Sequence, residues 1–182
     1  MTQINRVMQR IFAFGAGLSM SLVFLIIFVN ALRRYTIGRS VPWGEELPIY
    51  LTIYGVMFGL AWAYMQDRHI RFTILTDMLP EGLRQRLFLL VDLVTVASGV
   101  ALAIAGHEYA TRRGGIASSG LKSTGAWLAE TFHQPWMEWF GKVGTWQYAI
   151  AIGGAMLAAA ALIRFFTRLS EIRAAVQVER SA

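Results

Sequence analysis

Four stretches of 20 to 22 residues that hold no lysine, arginine or glutamate constrain this chain more than any other feature. They occupy residues 11–32, 47–66, 87–106 and 143–163. At ~1.5 Å per residue a helix of that length reaches ~30 Å, the thickness of a bilayer's hydrocarbon core. Charges bracket every run: Arg10 and Arg33, Glu46 and Asp67, Arg86 and His107, Lys142 and Arg164. The composition agrees, at 55% hydrophobic and 15% charged residues. The expectation is an all-α membrane protein, one domain over residues 1–182 with four transmembrane helices. An interfacial connector joins spans one and two, and a long third loop joins spans three and four. The first run is too long for a signal-peptide core and lacks a small-residue cleavage pattern after it.

Four spans put both termini on one side. The termini and second loop carry ten basic residues against seven in the first and third loops. That bias places the termini, with a tail from 164 to 182, in the cytoplasm. The net charge of +6 lies in small groups at span ends, which suits lipid headgroups rather than nucleic acid. The third loop, 107–142, opens on a Gly/Ser-rich piece expected to be flexible. Trp127, Trp136, Trp139 and Trp146 follow, as an interfacial belt would. A short surface helix is expected over 124–133, broken at Pro135.

Each span carries small residues at four-residue spacing, which lets helix backbones approach closely in lipid. The rows are Ala13, Gly17 and Ser21; Gly55, Gly59 and Ala63; Ala97, Ala101 and Ala105; and Ala151, Ala155 and Ala159. Packing within the bundle is the expected use of most of them, with some left for a partner.

Residues able to carry chemistry are few. Glu45 and Glu46 are open to three uses: cation binding, proton carriage, or pairing with Arg33, Arg34 or Arg39. Adjacent on a helix, they point about 100° apart and cannot both face one ligand. Their place at a helix start favours pairing and dipole complementation over ion transport. Asp92, five residues into the third run, is an intramembrane polar candidate for either a helix contact or a mechanistic role. His69, His107 and His133 do not fall at facing depths inside spans, as a haem would require. His107-Glu108 does not extend to a zinc-protease motif, because Thr111 stands where the second histidine belongs. No catalytic residue, cofactor or metal site is expected, and no enzyme. With no cysteine in the chain, disulfides and thiolate metal sites are excluded.

The order of motifs, Arg34-Tyr35, Pro42-Trp43-Gly44-Glu45-Glu46-Leu47, Gly59, His69-Ile70 and Leu79-Pro80, resembles the small membrane subunit of TRAP transporters, the DctQ-like family. The likeness covers about residues 10–105, and the four-span layout covers the whole chain. Thr73 departs from it, since many members carry an acidic residue there. The resemblance implies a sodium-driven secondary transporter for an organic acid in a bacterial inner membrane. In it the small subunit scaffolds a large DctM-like membrane subunit, and a periplasmic solute-binding protein delivers the substrate. Arg34, Tyr35, Trp43, Glu45, Glu46 and His69 match the family pattern and become candidates for partner contact or a structural charge network. The alternative from the residues alone is a membrane anchor or cytochrome b-like subunit of a redox complex.

Overall fold

The computed structural model describes residues 2–66 and 78–181. Its elements are α1 (Thr2–Ile37), α2 (Glu46–Met65), α3 (Glu81–Arg112), α4 (Lys122–Phe132), a 3-10 helix (Pro135–Gly141) and α5 (Val143–Ser181). Helices α1, α2, α3 and α5 are each long and apolar enough to cross a membrane.

Helix ends follow local chemistry rather than the ends of the apolar runs. With 36 residues, α1 is ~54 Å long and overshoots the bilayer, because nothing before Gly38 stops it. Gly38 then adopts φ 71°, and its N–H caps the Arg34 carbonyl at 3.2 Å. Helix α2 starts at Glu46, so Pro48 falls in the first turn, where its missing N–H would have no intrahelical partner. No break follows Ile163: α5 passes through Arg164 and runs on to Ser181.

The spans pack as an open row rather than a square. Helix α1 lies on α2, α2 on α5, and α5 on α3. The inner pair is accordingly better covered. Of their most apolar stretches, 22% of α2 and 28% of α5 are buried, against 11% of both α1 and α3. Large side chains such as Phe14, Phe24, Phe28, Leu90, Leu93 and Ile104 stand exposed on the two flanks.

The closest approach is between α3 and α5. A Cβ on Gly99 would stand 2.7 Å from the Ala158 nitrogen, and one on Gly106 2.6 Å from the Ala151 nitrogen. Gly154 answers from α5, against the backbone of Ala103. The expected small-residue rows are only partly used. Gly55 meets Met20 and Ser19 of α1, so that position does pack. Gly59 and Gly17 have nothing within 4 Å of where a Cβ would be, and Ala63 is half-buried. Ala97, Ala101 and Ala105 are all exposed. The seam on α3 is instead Asp92, Val96, Gly99, Ala103, Gly106 and Ala110, whose alternating spacing of four and three holds one helix face.

The third loop is tied down rather than loose. Ser118 N–H donates to the Gly141 carbonyl at 2.8 Å and Val143 N–H to the Ile116 carbonyl at 2.9 Å. Helix α4 ends two residues before Pro135, at left-handed His133 (φ 53°), where Gln134 N–H returns to the Ala129 carbonyl. Trp127, Trp136 and Trp139 are exposed on this loop. Trp146 is held differently: it stacks on Tyr50 with ring centroids 5.7 Å apart and donates to the Phe140 carbonyl.

Candidate functional site

Two polar clusters lie at opposite ends of the spans, and both lie where the apolar runs meet charge. The first is at the connector between α1 and α2. Its carboxylate, Glu46, was expected to pair with an arginine. It binds the third loop instead. Glu46 Oε2 accepts the Gly120 N–H at 2.7 Å, and Oε1 accepts the Tyr50 hydroxyl at 3.2 Å. Gly120 comes so close to the Pro42 carbonyl that no side chain fits there. Beneath the junction Ser118 and Leu121 are each 1% exposed. The connector and third loop are thus latched across 74 positions of sequence by a charge-assisted hydrogen bond from Gly120, with Ser118 of the same loop as a further partner of Glu46.

Asn30, the one amide in the first apolar run, organises the other side of the connector. Its Oδ1 accepts the Val41 N–H at 2.8 Å. Gly44 is the residue that lets it in, since a Cβ there would stand 2.6 Å from the Asn30 side chain. Trp43 is half-buried, and its carbonyl receives the Leu47 N–H that opens α2.

Between α1 and α2 at this end runs an open groove of about 810 Å³. Arg34, Tyr35 and Glu45 line its mouth; Val23, Ile27 and Ile49 line its apolar length. Tyr35 is 90% exposed. Among the described residues no ion pair joins Arg33, Arg34 or Arg39 to Glu45 or Glu46. The within-chain charge network expected here is therefore not formed. The carboxylate nearest the loop took backbone and hydroxyl donors, and the exposed charges face outward. His69 lies outside the described residues.

The second cluster sits toward the helix ends on the side of the termini. Asp92 is 1% exposed, on the face of α3 turned to α5. Tyr64 of α2 donates its hydroxyl to Oδ1 at 2.6 Å, and Arg168 of α5 lies 3.2 Å from Oδ2. Arg168 also donates to the Phe88 carbonyl at 3.3 Å and covers the Phe88 ring, 5.0 Å from its centroid. One carboxylate therefore joins three helices, beside the apolar core of Phe12, Ala61, Met65, Ala160 and Ala161. Asp92 is a helix contact in this structure. Sequence reasoning missed Asn30, Gly120, Tyr64 and Arg168. Asn30 carried a readable signal as an isolated amide in a span; Gly120 and Arg168 carried none, because their partners are distant in sequence.

Among the described residues no three histidine, aspartate or glutamate side chains converge as metal ligands would. What the two clusters do is fasten helices and loops. The fold and these fastenings define a multi-pass helical membrane protein. Residues 23–171 match the family described as "Tripartite ATP-independent periplasmic transporters, DctQ component", and the chain belongs to that family. It is thus a transporter component, not an enzyme, and the redox-anchor alternative is set aside. The chain is 27% identical over 95 residues to the sialic acid TRAP transporter small permease protein SiaQ of Vibrio cholerae, covering 52% of this chain and 55% of that protein. It is 27% identical over 92 residues to the ectoine TRAP transporter small permease protein TeaB of Halomonas elongata, covering 50% and 48%. A putative TRAP transporter small permease protein of Haemophilus influenzae shares 28% over 61 residues, 34% and 38% of the two chains. The matched stretch thus spans about half the length of the first of these curated relatives.

Proposed function

We propose that this chain is the scaffolding small subunit of an inner-membrane TRAP transporter that takes up an organic acid with sodium. Its partners in this reading are a large DctM-like membrane subunit and a periplasmic solute-binding protein. The observation that carries the reading is the open row. A closed four-helix bundle would cover all four spans alike, whereas here α1 and α3 keep most of their apolar surface uncovered. Apolar surface on that scale within a membrane suits either lipid or a second helical protein. The row of half-buried Ala13 and exposed Gly17 and Ser21 gives α1 a surface on which another helix can lie closely, since nothing stands within 4 Å at Gly17. Tyr35, outward at the connector end, is available to such a partner.

Reconstitution tests this directly. Proteoliposomes are made with the chain alone, and with the large subunit plus the solute-binding protein. Sialic acid and ectoine, named for the relatives, are the first labelled probes, followed by small dicarboxylates. The expected result is sodium-dependent uptake only by the full set. Uptake by the lone chain would refute the scaffold role. Reporter fusions at Ala182 and within 114–120 test the orientation; cytoplasmic termini are expected, and a periplasmic signal at Ala182 would reverse it.

A further inference from the structure

We propose that the groove between α1 and α2 holds one phospholipid whose headgroup carries both a phosphate and a primary ammonium. The groove's volume, about 810 Å³, is in the ~300–1,000 Å³ range of small-molecule sites, room for a headgroup and one acyl chain with the second chain in the surrounding bilayer. Its shape matches one leaflet. From Arg34 at the mouth to Val23 is eleven residues of α1, or about 16 Å of helix, and half of a ~30 Å hydrocarbon core is about 15 Å. The groove therefore descends from headgroup level to about the bilayer midplane, where an acyl chain of that leaflet ends.

The lining follows the same division. Ile49 near the mouth and Ile27 deeper down, each more than half exposed, present hydrocarbon to hydrocarbon. Two polar atoms in the walls are occupied within the chain: Asn30 Oδ1 takes the Val41 N–H, and the Thr52 hydroxyl donates to the Pro48 carbonyl at 2.7 Å. At the mouth, Arg34 and Glu45 line one cavity without pairing to each other. A guanidinium binds phosphate oxygens in a fork, and a carboxylate accepts the N–H groups of an ammonium. Two opposite charges at headgroup level, above an apolar slot one leaflet deep, complement a zwitterionic phospholipid. A quaternary headgroup lacks the N–H donors for Glu45, and a purely anionic one meets repulsion there.

The test uses the full chain in nanodiscs of equal phosphatidylethanolamine, phosphatidylcholine and phosphatidylglycerol, with retained lipid counted by native mass spectrometry. Phosphatidylethanolamine should be retained about tenfold over the other two, the worth of one charge-assisted hydrogen bond. Glu45→Gln should erase the preference over phosphatidylglycerol while a lipid is still held. Arg34→Gln should lower retention of all three. Ile27→Trp should fill the slot and displace the lipid, and helicity should match the parent in each variant. Equal retention of the three lipids by the parent, or a parent-like lipid count in Ile27→Trp, would overturn the proposal. So would an Ile27→Cys chain that cross-links at short range to another protein in native membranes, which would give the groove to a partner helix. None of these readouts depends on transport, so the groove can fail as a lipid site while the transporter reading stands.

Discussion

Asp92 shows how a single residue is read from its surroundings. In the sequence it is a carboxylate a short way into an apolar run, and nothing nearby in the chain says what satisfies it. The answer comes from Tyr64 and Arg168, 28 residues before it and 76 after. Removing one partner of a buried ion pair leaves the other uncompensated, at about 3–5 kcal/mol. Asp92→Ala should therefore cost about that much in denaturant unfolding in detergent, while Asp92→Leu with Arg168→Met should recover most of it. A double variant no better than the single would show that the pair's geometry, not its charge balance, matters. Gly120 offers a second check. Its approach to Pro42 leaves no room for a methyl group, so Gly120→Ala should part the third loop from Glu46. The expected cost is about 1–3 kcal/mol, and new protease cleavage within 113–121 is the readout. Unchanged cleavage would contradict the latch.

Among the elements, the four spans were legible because the bilayer demands uninterrupted apolar helices of a set length. Their order across the row was not, since every span is apolar on all sides and no periodicity marks a buried face. The small-residue row expected on α3 went astray for the same reason. Ala97, Ala101 and Ala105 are as regular as the true seam, yet they face outward. One clue was present: a buried carboxylate must point inward, and stepping from Asp92 by four and three reaches Val96, Gly99, Ala103, Gly106 and Ala110. This predicts opposite outcomes for two substitutions on α3. Gly99→Leu should force α3 off α5, costing at least about 1–3 kcal/mol. Ala101→Leu should stay within about 0.5 kcal/mol of the parent. Because the chain has no cysteine, an engineered disulfide between α3 and α5 can report the separation. Equal effects at the two positions would contradict the seam.

For the whole molecule, the connector motif was recognisable while its work was not. The sequence places Arg34, Glu45 and Glu46 at the ends of two spans, and proximity alone suggested that they pair. In the fold, Glu46 turns to the third loop, and Arg34 and Glu45 remain at a groove mouth. Backbone donors from a distant loop are invisible to residue-type reasoning, so the latch could be found only in three dimensions. In the proposed role this open row of helices is completed by a larger membrane subunit. Affinity purification of the tagged chain from its native membrane, in a mild detergent, tests it most directly. A multi-span transporter subunit should be recovered with it, and Gly17→Leu on the α1 flank should reduce that recovery while leaving membrane insertion intact. Recovery of the chain alone, or with redox proteins and a haem Soret band, would contradict it.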